Sequence, residues 1–249
     1  MLDQIAGYAL ESLHAWGAVP MEVPPGLGLL TATVREAPVR MESRAWHNDH
    51  FRLFRLTRLY GRVQMLNFVA YPRAEYEQPI FATDIVILGD KLRVCYIDAM
   101  PLFPNEAEYD AQFVAPFAPL HERSLALAPR YDLKLEWSNH FIGRAACLAT
   151  DPPGSDLTAF AALWLGYWQL YGRLVAQMQP TSPERATAVA QWHHTYNHEH
   201  AEVESKRNPI MHYFGREMGE RYVREFLFSE TLGTQPINKK EPASNHPMN

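Results

Sequence analysis

Cysteine and long apolar runs are both scarce in this sequence. Its two cysteines, Cys95 and Cys147, cannot build a disulfide framework and lack the close spacing of a metal-binding motif, so we expect buried thiols. No stretch has the roughly 18 consecutive apolar residues that a membrane span requires. The N-terminus also lacks the basic and apolar segments of a secretion signal. These absences predict a cytoplasmic protein that does not associate with a membrane.

Motifs of several common enzyme classes are absent as well. The sequence contains no GxGxxG, no P-loop and no GxSxG, which disfavours nucleotide binding and serine hydrolysis. A net charge of −5 disfavours a nucleic-acid-binding protein. With 47% hydrophobic and 20% charged residues, the chain has the composition of a folded globular protein.

Histidines are concentrated near residue 200, where His194 and His198 stand four positions apart and His200 follows. This spacing superficially resembles a helical metal site, but the HExxH order and a companion Cys or Asp cluster are missing. A solvated helix face is the simpler interpretation. We therefore predict no metal site, with a histidine metalloprotein as the alternative.

Hydrophobic periodicity predicts the order of the secondary-structure elements. An amphipathic helix over Leu2–Trp16 is followed by runs with the two-residue alternation of strands, and then by segments with helical spacing. The predicted strands are Val39–Trp46, Phe51–Tyr60, Arg62–Tyr71, Ile80–Leu88 and Lys91–Ala99, and the later helices lie within Asn105–Leu120, Ser155–Gln179, Pro183–Ser205 and Gly215–Phe228. Strands followed by helices predict an α+β fold in which helices cover an antiparallel sheet. We expect one domain over residues 1–230 and a disordered tail over residues 231–249.

Polar residues interrupt two of the apolar strands. Asp84 lies within an otherwise apolar run, where burial would raise the pKa of its carboxyl group and make it a proton donor near neutral pH. The alternative is a structural aspartate that pairs with an arginine or with backbone amides. Asn67 needs hydrogen-bond partners if it is buried but cannot act as an acid. Asp98 ends its strand and is typical of a turn-forming aspartate.

Several of these segments, taken in order, resemble one known family. They are Phe51-Arg52, Leu66-Asn67-Phe68-Val69-Ala70-Tyr71-Pro72, Pro79-Ile80-Phe81-Ala82-Thr83-Asp84, Ile97-Asp98, Trp137-Ser138, Arg144, Phe214-Gly215-Arg216-Glu217, Tyr222 and Leu227-Phe228. Together they resemble the ferredoxin-dependent bilin reductases from about residue 8 to residue 228. Within that family they look most like the members that reduce biliverdin to 15,16-dihydrobiliverdin.

The resemblance implies a three-layer α/β/α sandwich that binds biliverdin IXα between the sheet and the C-terminal helices. It implies electrons delivered singly by a [2Fe-2S] ferredoxin through bilin radicals, with no bound metal or flavin. By motif, Asp84 matches the main proton donor, and Asn67 matches a position that is asparagine in the phycoerythrobilin branch. Arg144 matches an arginine that binds a propionate, and Phe81 and Ser138 fall in segments that contact the substrate.

Position 208 departs from the family pattern. Phycoerythrobilin-branch relatives have Asp-Pro in this loop, and that aspartate is linked to reduction of the A-ring, whereas this chain has Asn208-Pro209. An amide does not titrate in a usable range and cannot replace a carboxylic acid in proton transfer. The departure favours a reaction that ends after two electrons, with four-electron reduction to phycoerythrobilin as the alternative.

Positive charge is concentrated in the strand region. Seven arginines (Arg35, Arg40, Arg44, Arg52, Arg55, Arg58 and Arg62) stand against three acids (Glu36, Glu42 and Asp49). This pattern is typical either of a solvated strand face or, with Lys206-Arg207, of a docking surface for an acidic ferredoxin. Further candidate partners are a heme oxygenase and a downstream bilin reductase. A non-catalytic bilin carrier remains an alternative function, although such a protein would have no need of Asp84.

Overall fold

The computed structural model describes residues 1–128, 140–152 and 156–233, apart from the side chain of Arg207. The helices are α1 (Leu2–Ala15), α2 (Ala107–Phe113), α3 (Ala118–Leu127), α4 (Leu157–Val175), α5 (Pro183–Arg207), α6 (Ile210–Phe214) and α7 (Arg216–Tyr222). The strands are β1 (Val19–Met21), β2 (Leu29–Val34), β3 (Ala37–His47), β4 (Phe51–Tyr60), β5 (Val63–Pro72), β6 (Ile80–Leu88), β7 (Lys91–Met100) and β8 (Cys147–Thr150). A 3-10 turn spans Ala115–Phe117, and a π-helical segment spans Val223–Leu227.

The strands of the described chain form one antiparallel sheet in the order β1-β3-β4-β5-β6-β7-β8. β2 also pairs with β3, so β1 and β2 cover the two ends of the same strand. From β3 to β7 the spatial order is the chain order, so these strands form a meander. The β6–β7 hairpin turns through two residues, and Gly89 adopts the positive φ of +65° that this tight turn requires.

Helices cover both faces of this sheet. α1 and α4 bury one face, and their core includes Ile5 and Trp164. α5, α6, α7 and the π-helical segment cover the other face, where Tyr196 and Phe226 are buried. Because alternate strand residues point to opposite faces, each strand supplies both cores. This arrangement confirms the predicted α+β sandwich of three layers.

The predicted helices are present, but their boundaries differ in several places. α6 was not predicted, and the helix predicted over Gly215–Phe228 is α-helical only over Arg216–Tyr222. The segment predicted as one helix over Asn105–Leu120 is divided into α2, the 3-10 turn and α3, because Pro116 and Pro119 have no N–H to continue a helix. α4 begins after Asp156, whose carboxylate accepts hydrogen bonds from the backbone N–H groups of its first turn. The predicted start at Ser155 lies outside the described residues.

Three strands were not predicted: β1, β2 and β8. β1 has 3 residues and β8 has 4, too few to show a clear alternation. β2 lies at the sheet edge; Leu30, Ala32 and Val34 form its less exposed face, an alternation that sequence reasoning overlooked. Most of the tail predicted to be disordered, residues 234–249, lies outside the described residues.

Three of the seven arginines in the strand region are buried, which corrects their assignment to a surface patch. Arg52 donates hydrogen bonds to the carbonyl oxygens of Ser229 and Leu232 and so ties β4 to the chain after the last helix. Arg58 donates to Asp3 of α1. Arg55 faces the opposite side of the sheet from Arg58 and belongs to the site described below.

The cysteines and the lengths of the helices bear on two further predictions. Cys95 and Cys147 are buried and unpaired by a disulfide, as expected. A hydrogen bond with Cys147, together with burial, raises the pKa of the Cys95 thiol well above its usual value. None of the described helices is both long and apolar enough to cross a membrane.

Candidate active site

A row of polar residues crosses the sheet on the face covered by α5. Thr57 pairs with Asn67, Asn67 with Asp84, and Asp84 with Tyr96, on four neighbouring strands from β4 to β7. Residues in direct register on an antiparallel sheet point to the same face. The two polar residues that interrupt the apolar strands in the sequence are therefore adjacent in space.

This row forms part of the floor of a cavity of about 240 Å³. The floor comes from β4 to β8, the opposite wall comes from α5 and the π-helical segment, and one side is closed by residues just before β8. The lining residues are Arg55, Asn67, Val69, Ala82, Thr83, Asp84, Val94, Tyr96, Met100, Phe141, Ile142, Leu148, Tyr196, His200, Glu204, Asn208, Leu227 and Phe228. Two larger hollows of about 460 and 350 Å³ lie elsewhere along α5, but neither is lined by Asp84 or Asn67.

Asp84 is the central acid of the cavity. It is half-buried, and its Oδ1 atom is fully buried without a hydrogen-bond partner among the described residues. Burial raises the pKa of Asp84 to about 7; the nearby Glu204 carboxylate adds to the rise and the Arg55 guanidinium partly offsets it. A carboxyl group with this pKa holds a proton near neutral pH and can release it to a bound molecule.

Asn67 is held in place by a buried cation. Nη1 of Arg55 donates to Oδ1 of Asn67 at 2.5 Å, and the Arg55 side chain lies beneath the ring of Phe228. Because the amide oxygen is occupied by Arg55, the Asn67 NH₂ group is the part left to donate toward a ligand. Arg55 thus orients the amide and places a positive charge beside Asp84.

Aromatic rings form the wall opposite the sheet. The His200 ring lies 4.0 Å from Tyr196, 5.1 Å from Phe141 and 5.1 Å from Phe228, measured between ring centroids. Nδ1–H of His200 donates to the Tyr196 carbonyl oxygen, and burial lowers the His200 pKa to about 4. The imidazole is therefore neutral at physiological pH. Such a wall suits a flat conjugated ligand.

The C-terminal turn of α5 brings a second carboxyl group to the cavity. Glu204 lines the cavity and is half-buried. Asn208, the C-cap residue, donates from Nδ2 to Oε2 of Glu204 at 3.1 Å, and its Oδ1 accepts from the backbone N–H of Ile210 at 3.0 Å. Both ends of the Asn208 amide are therefore engaged.

Three of the six residues predicted from the sequence meet in this cavity: Asp84, Asn67 and Asn208. Phe81 does not. Its ring is fully buried on the opposite face of the sheet, 5.1 Å from Trp168 and 5.1 Å from Tyr171. The expectation that Phe81 contacts a substrate needs correction, because Phe81 and its neighbour Ala82 point to opposite faces.

Arg144 also lies away from the cavity lining. Its exposed guanidinium makes two hydrogen bonds to the Asp110 carboxylate on α2, at 2.9 and 2.6 Å. Propionate binding by Arg144 stays a prediction, and it requires the ligand to replace Asp110 in this bidentate pair. Ser138, the remaining predicted residue, lies outside the described residues.

The histidine cluster does not converge on one point. His194 contacts Glu230 at 2.9 Å and its ring stacks on His198, whereas His200 faces the aromatic wall. No group of three or more metal-binding side chains occurs in the part of the chain that the structure describes. Asp98 accepts hydrogen bonds from the Tyr96 hydroxyl and the Gly143 N–H, so it fixes a loop beside the cavity rather than a turn at its own strand end.

Sequence reasoning found Asn208 but missed that three residues of α5 line the same cavity. Four residues spaced by four positions (Tyr196, His200, Glu204 and Asn208) line the cavity as one stripe of this helix. The spacing was visible, but the surrounding polar residues made the helix look solvent-exposed. Arg55 carried a clearer signal of burial, because it lies on the same face of β4 as the apolar Leu53.

The cavity combines a protonated acid, a fixed amide and an aromatic wall, which defines a site for acid-assisted chemistry on a conjugated ligand. A family model for ferredoxin-dependent bilin reductases matches residues 8–229. The chain belongs to this family and is an oxidoreductase of that class.

Two curated relatives and one solved structure show the similarity. The phycoerythrobilin:ferredoxin oxidoreductase of Gloeobacter violaceus is 32% identical over 220 residues, covering 84% of this chain and 86% of that protein. A 15,16-dihydrobiliverdin:ferredoxin oxidoreductase of Synechococcus is 29% identical over 238 residues, covering 92% and 97%. Phytochromobilin synthase from tomato, solved in complex with biliverdin, has the same fold with a TM-score of 0.77 at 18% identity, covering 92% of this chain and 83% of that one.

Proposed function

We propose that this protein reduces biliverdin IXα by two electrons at the 15,16 methine bridge to give 15,16-dihydrobiliverdin. The observation that carries the proposal is Asp84, an acid whose pKa is raised to about 7, so that a large fraction of it is protonated near neutral pH inside an aromatic cavity. A [2Fe-2S] ferredoxin would supply the electrons one at a time. Relatives named for the same reaction support this assignment.

In the proposed reaction, the bilin lies between the sheet and α5. Asp84 donates a proton to the bilin after an electron arrives, so the charge added to the conjugated system is neutralised as it develops. Asn67, oriented by Arg55, donates a hydrogen bond to a lactam oxygen of the bilin and fixes its position over Asp84. The aromatic wall excludes water from the radical that forms between the two electron transfers.

Four-electron reduction to phycoerythrobilin is the second candidate. Glu204 gives the cavity a carboxyl group besides Asp84, and one relative is named phycoerythrobilin:ferredoxin oxidoreductase. The two-electron assignment takes precedence because the amide at position 208 cannot act as the acid that the family pattern has there.

Anaerobic turnover of biliverdin IXα with chemically reduced ferredoxin, followed by chromatography of the product, tests the proposal. We expect 15,16-dihydrobiliverdin to accumulate even with excess reduced ferredoxin. Phycoerythrobilin as the end product would replace the two-electron assignment with the second candidate. Tight binding of biliverdin without any reduction would identify a carrier instead.

Several finer expectations belong to the same proposal. Arg144 would bind a propionate, and a heme oxygenase or a downstream bilin reductase would exchange bilins with this protein. We place the reaction in the cytoplasm and the domain over residues 1–230. Exposed cations, among them Lys206 near the C-terminal end of α5, would contact the acidic ferredoxin.

A further inference from the structure

The proposed reaction needs more protons than Asp84 holds. Reduction of one C=C bond by two electrons consumes two protons and forms two C–H bonds. A single carboxylic acid releases one proton and is then a carboxylate. After the first transfer, a second proton must reach the bilin, and Asp84 must itself be protonated again before the next turnover.

The other cavity-lining groups are poorly suited to supply that proton at neutral pH. The His200 imidazole is neutral and its N–H is engaged with the Tyr196 carbonyl oxygen. Tyr96 donates its hydroxyl to Asp98, and burial raises the pKa of Tyr96 well above its usual value. Arg55 is engaged in its hydrogen bond to Asn67. Among the described residues that line the cavity, Glu204 is the carboxyl group that remains.

The position of Glu204 suits transfer between solvent and cavity. Its side chain is half-buried on the last turns of α5, whereas the Oδ1 atom of Asp84 is fully buried. The two carboxyl groups interact, since the Glu204 carboxylate is the second-largest cause of the raised pKa of Asp84. When Asp84 loses its proton, the repulsion between two carboxylates raises the affinity of both for a proton.

Asn208 holds the Glu204 carboxylate in place. Its Nδ2 donates to one carboxylate oxygen, Oε2, and so fixes the orientation of the Glu204 carboxylate. The amide cannot turn freely because its Oδ1 accepts from the N–H of Ile210. The amide at position 208 thus orients an acid that stands one helical turn earlier.

We propose that Glu204 is a proton relay that carries protons from solvent to Asp84 during bilin reduction. This inference rests on the proposed function. Two reduced ferredoxins lose one electron each, and the C=C bond gains two electrons and two protons. Asp84 passes a proton to the bilin and becomes a carboxylate. Glu204 takes a proton from solvent and transfers it to Asp84, so both carboxyl groups return to their starting states. Glu204 therefore acts on the bilin only through Asp84, to which it supplies protons.

The test compares Glu204→Gln with Glu202→Gln in single-turnover reduction of biliverdin, followed by bilin absorption. Gln can still accept the Asn208 hydrogen bond but cannot carry a proton. Glu202 lies on the same helix and pairs with Arg224 outside the cavity, so its substitution should leave the kinetics unchanged. We expect Glu204→Gln to bind biliverdin normally, to form the bilin radical, and to slow its conversion to product by about tenfold or more.

Chemical rescue separates a relay from a structural role. A small weak acid, imidazolium at increasing concentration, should restore much of the lost rate in Glu204→Gln and have little effect on the wild type. Product formation within about twofold of the wild type, or a slow variant that imidazolium does not rescue, would overturn the relay. Failure of the wild type to reduce biliverdin, or full activity of Asp84→Asn, would instead overturn the proposed function.

Discussion

At the scale of single residues, the chemistry of the site depends on where Asp84 stands in the register. Its neighbours along β6 are apolar apart from Thr83, while its neighbours across the sheet are Asn67 and Tyr96. Arg55, on β4 two strands away, lowers the pKa of Asp84. Burial and the Glu204 carboxylate raise that pKa by more than Arg55 lowers it. The acid therefore holds its proton without losing contact with the cavity.

Replacement of Asp84 by Asn should stop or strongly slow product formation while bilin binding is retained. Asn has nearly the same shape but cannot donate a proton, so the loss should be about 10²-fold or more. Electron transfer is unaffected by the change, and we expect bilin radical absorption to persist. Product chromatography and absorption spectra measure both effects. Asp90→Asn, in the exposed β6–β7 turn, is the matched control. Product yield equal to the wild type would remove Asp84 from the mechanism.

The raised pKa of Asp84 also predicts a dependence of stability on pH. Between about pH 4 and pH 7 the unfolded chain loses the Asp84 proton while the folded chain keeps it, so the free energy of unfolding falls as pH rises through this window. The loss is at most about 4 kcal/mol, because one pKa unit corresponds to about 1.4 kcal/mol.

Urea denaturation of the wild type and Asp84→Asn measures this contribution. We expect the stability of the variant relative to the wild type to increase between about pH 5 and pH 8. His193 and His200, whose pKa values are lowered to about 3 and about 4, titrate in both proteins and largely cancel in the comparison. A difference that does not change with pH would mean that the proton affinity of Asp84 is ordinary in the folded state.

At the scale of elements, the C-terminal helices are fixed to the sheet by a buried tyrosine. The Tyr222 hydroxyl lies 2.7 Å from Oγ of Ser43 and 2.6 Å from Oγ1 of Thr57, on β3 and β4. Thr57 begins the polar row that contains Asn67 and Asp84. The tyrosine therefore fixes α7 and the π-helical segment against the strands that carry the site.

Tyr222→Phe should destabilise the fold by about 1–3 kcal/mol, because it leaves two buried hydroxyl groups without this partner. Chemical denaturation measures the change. Tyr213→Phe is the control, since the half-buried Tyr213 hydroxyl has no hydrogen bond within the described part of the chain. Equal stability of the two variants would show that the Ser43–Tyr222–Thr57 group contributes little.

At the scale of the whole molecule, the two faces of the sheet have different tasks. The face under α1 and α4 is filled by aromatic rings and leaves no room for a ligand near Phe81. The face under α5 holds the cavity. The cavity lies directly beneath α5, and Lys206 is exposed near the C-terminal end of that helix.

Charge on the α5 side should control the encounter with ferredoxin. Lys206→Gln should lower the second-order rate of biliverdin reduction at low ionic strength, and added salt should reduce the difference from the wild type. Arg173→Gln is the matched control, because Arg173 is an exposed residue of α4, on the opposite face of the sheet. Turnover at limiting ferredoxin across a salt series measures the effect. Equal rates for both variants would place the docking surface elsewhere.

The sequence determined the order and type of the long elements. Alternation predicted β4 to β7 within a few residues, and the helix predicted from Pro183 begins at that residue, after the N-cap Ser182. These signals are local, because periodicity and capping depend on neighbours a few positions away. The sequence also placed Asp84 and Asn67 among apolar neighbours, where a buried polar side chain must be hydrogen-bonded or serve a function.

Only the tertiary structure decided which face each residue serves and which distant groups meet. Phe81 and Ala82 are adjacent in the chain, yet they face opposite cores. Arg52, Arg55 and Arg58 look like surface charge in the sequence, but each is buried and donates a hydrogen bond to another part of the chain. Glu204 comes beside Asp84 only because α5 packs across the sheet. Register and helix packing depend on contacts between residues far apart in the chain, and local patterns do not encode those contacts.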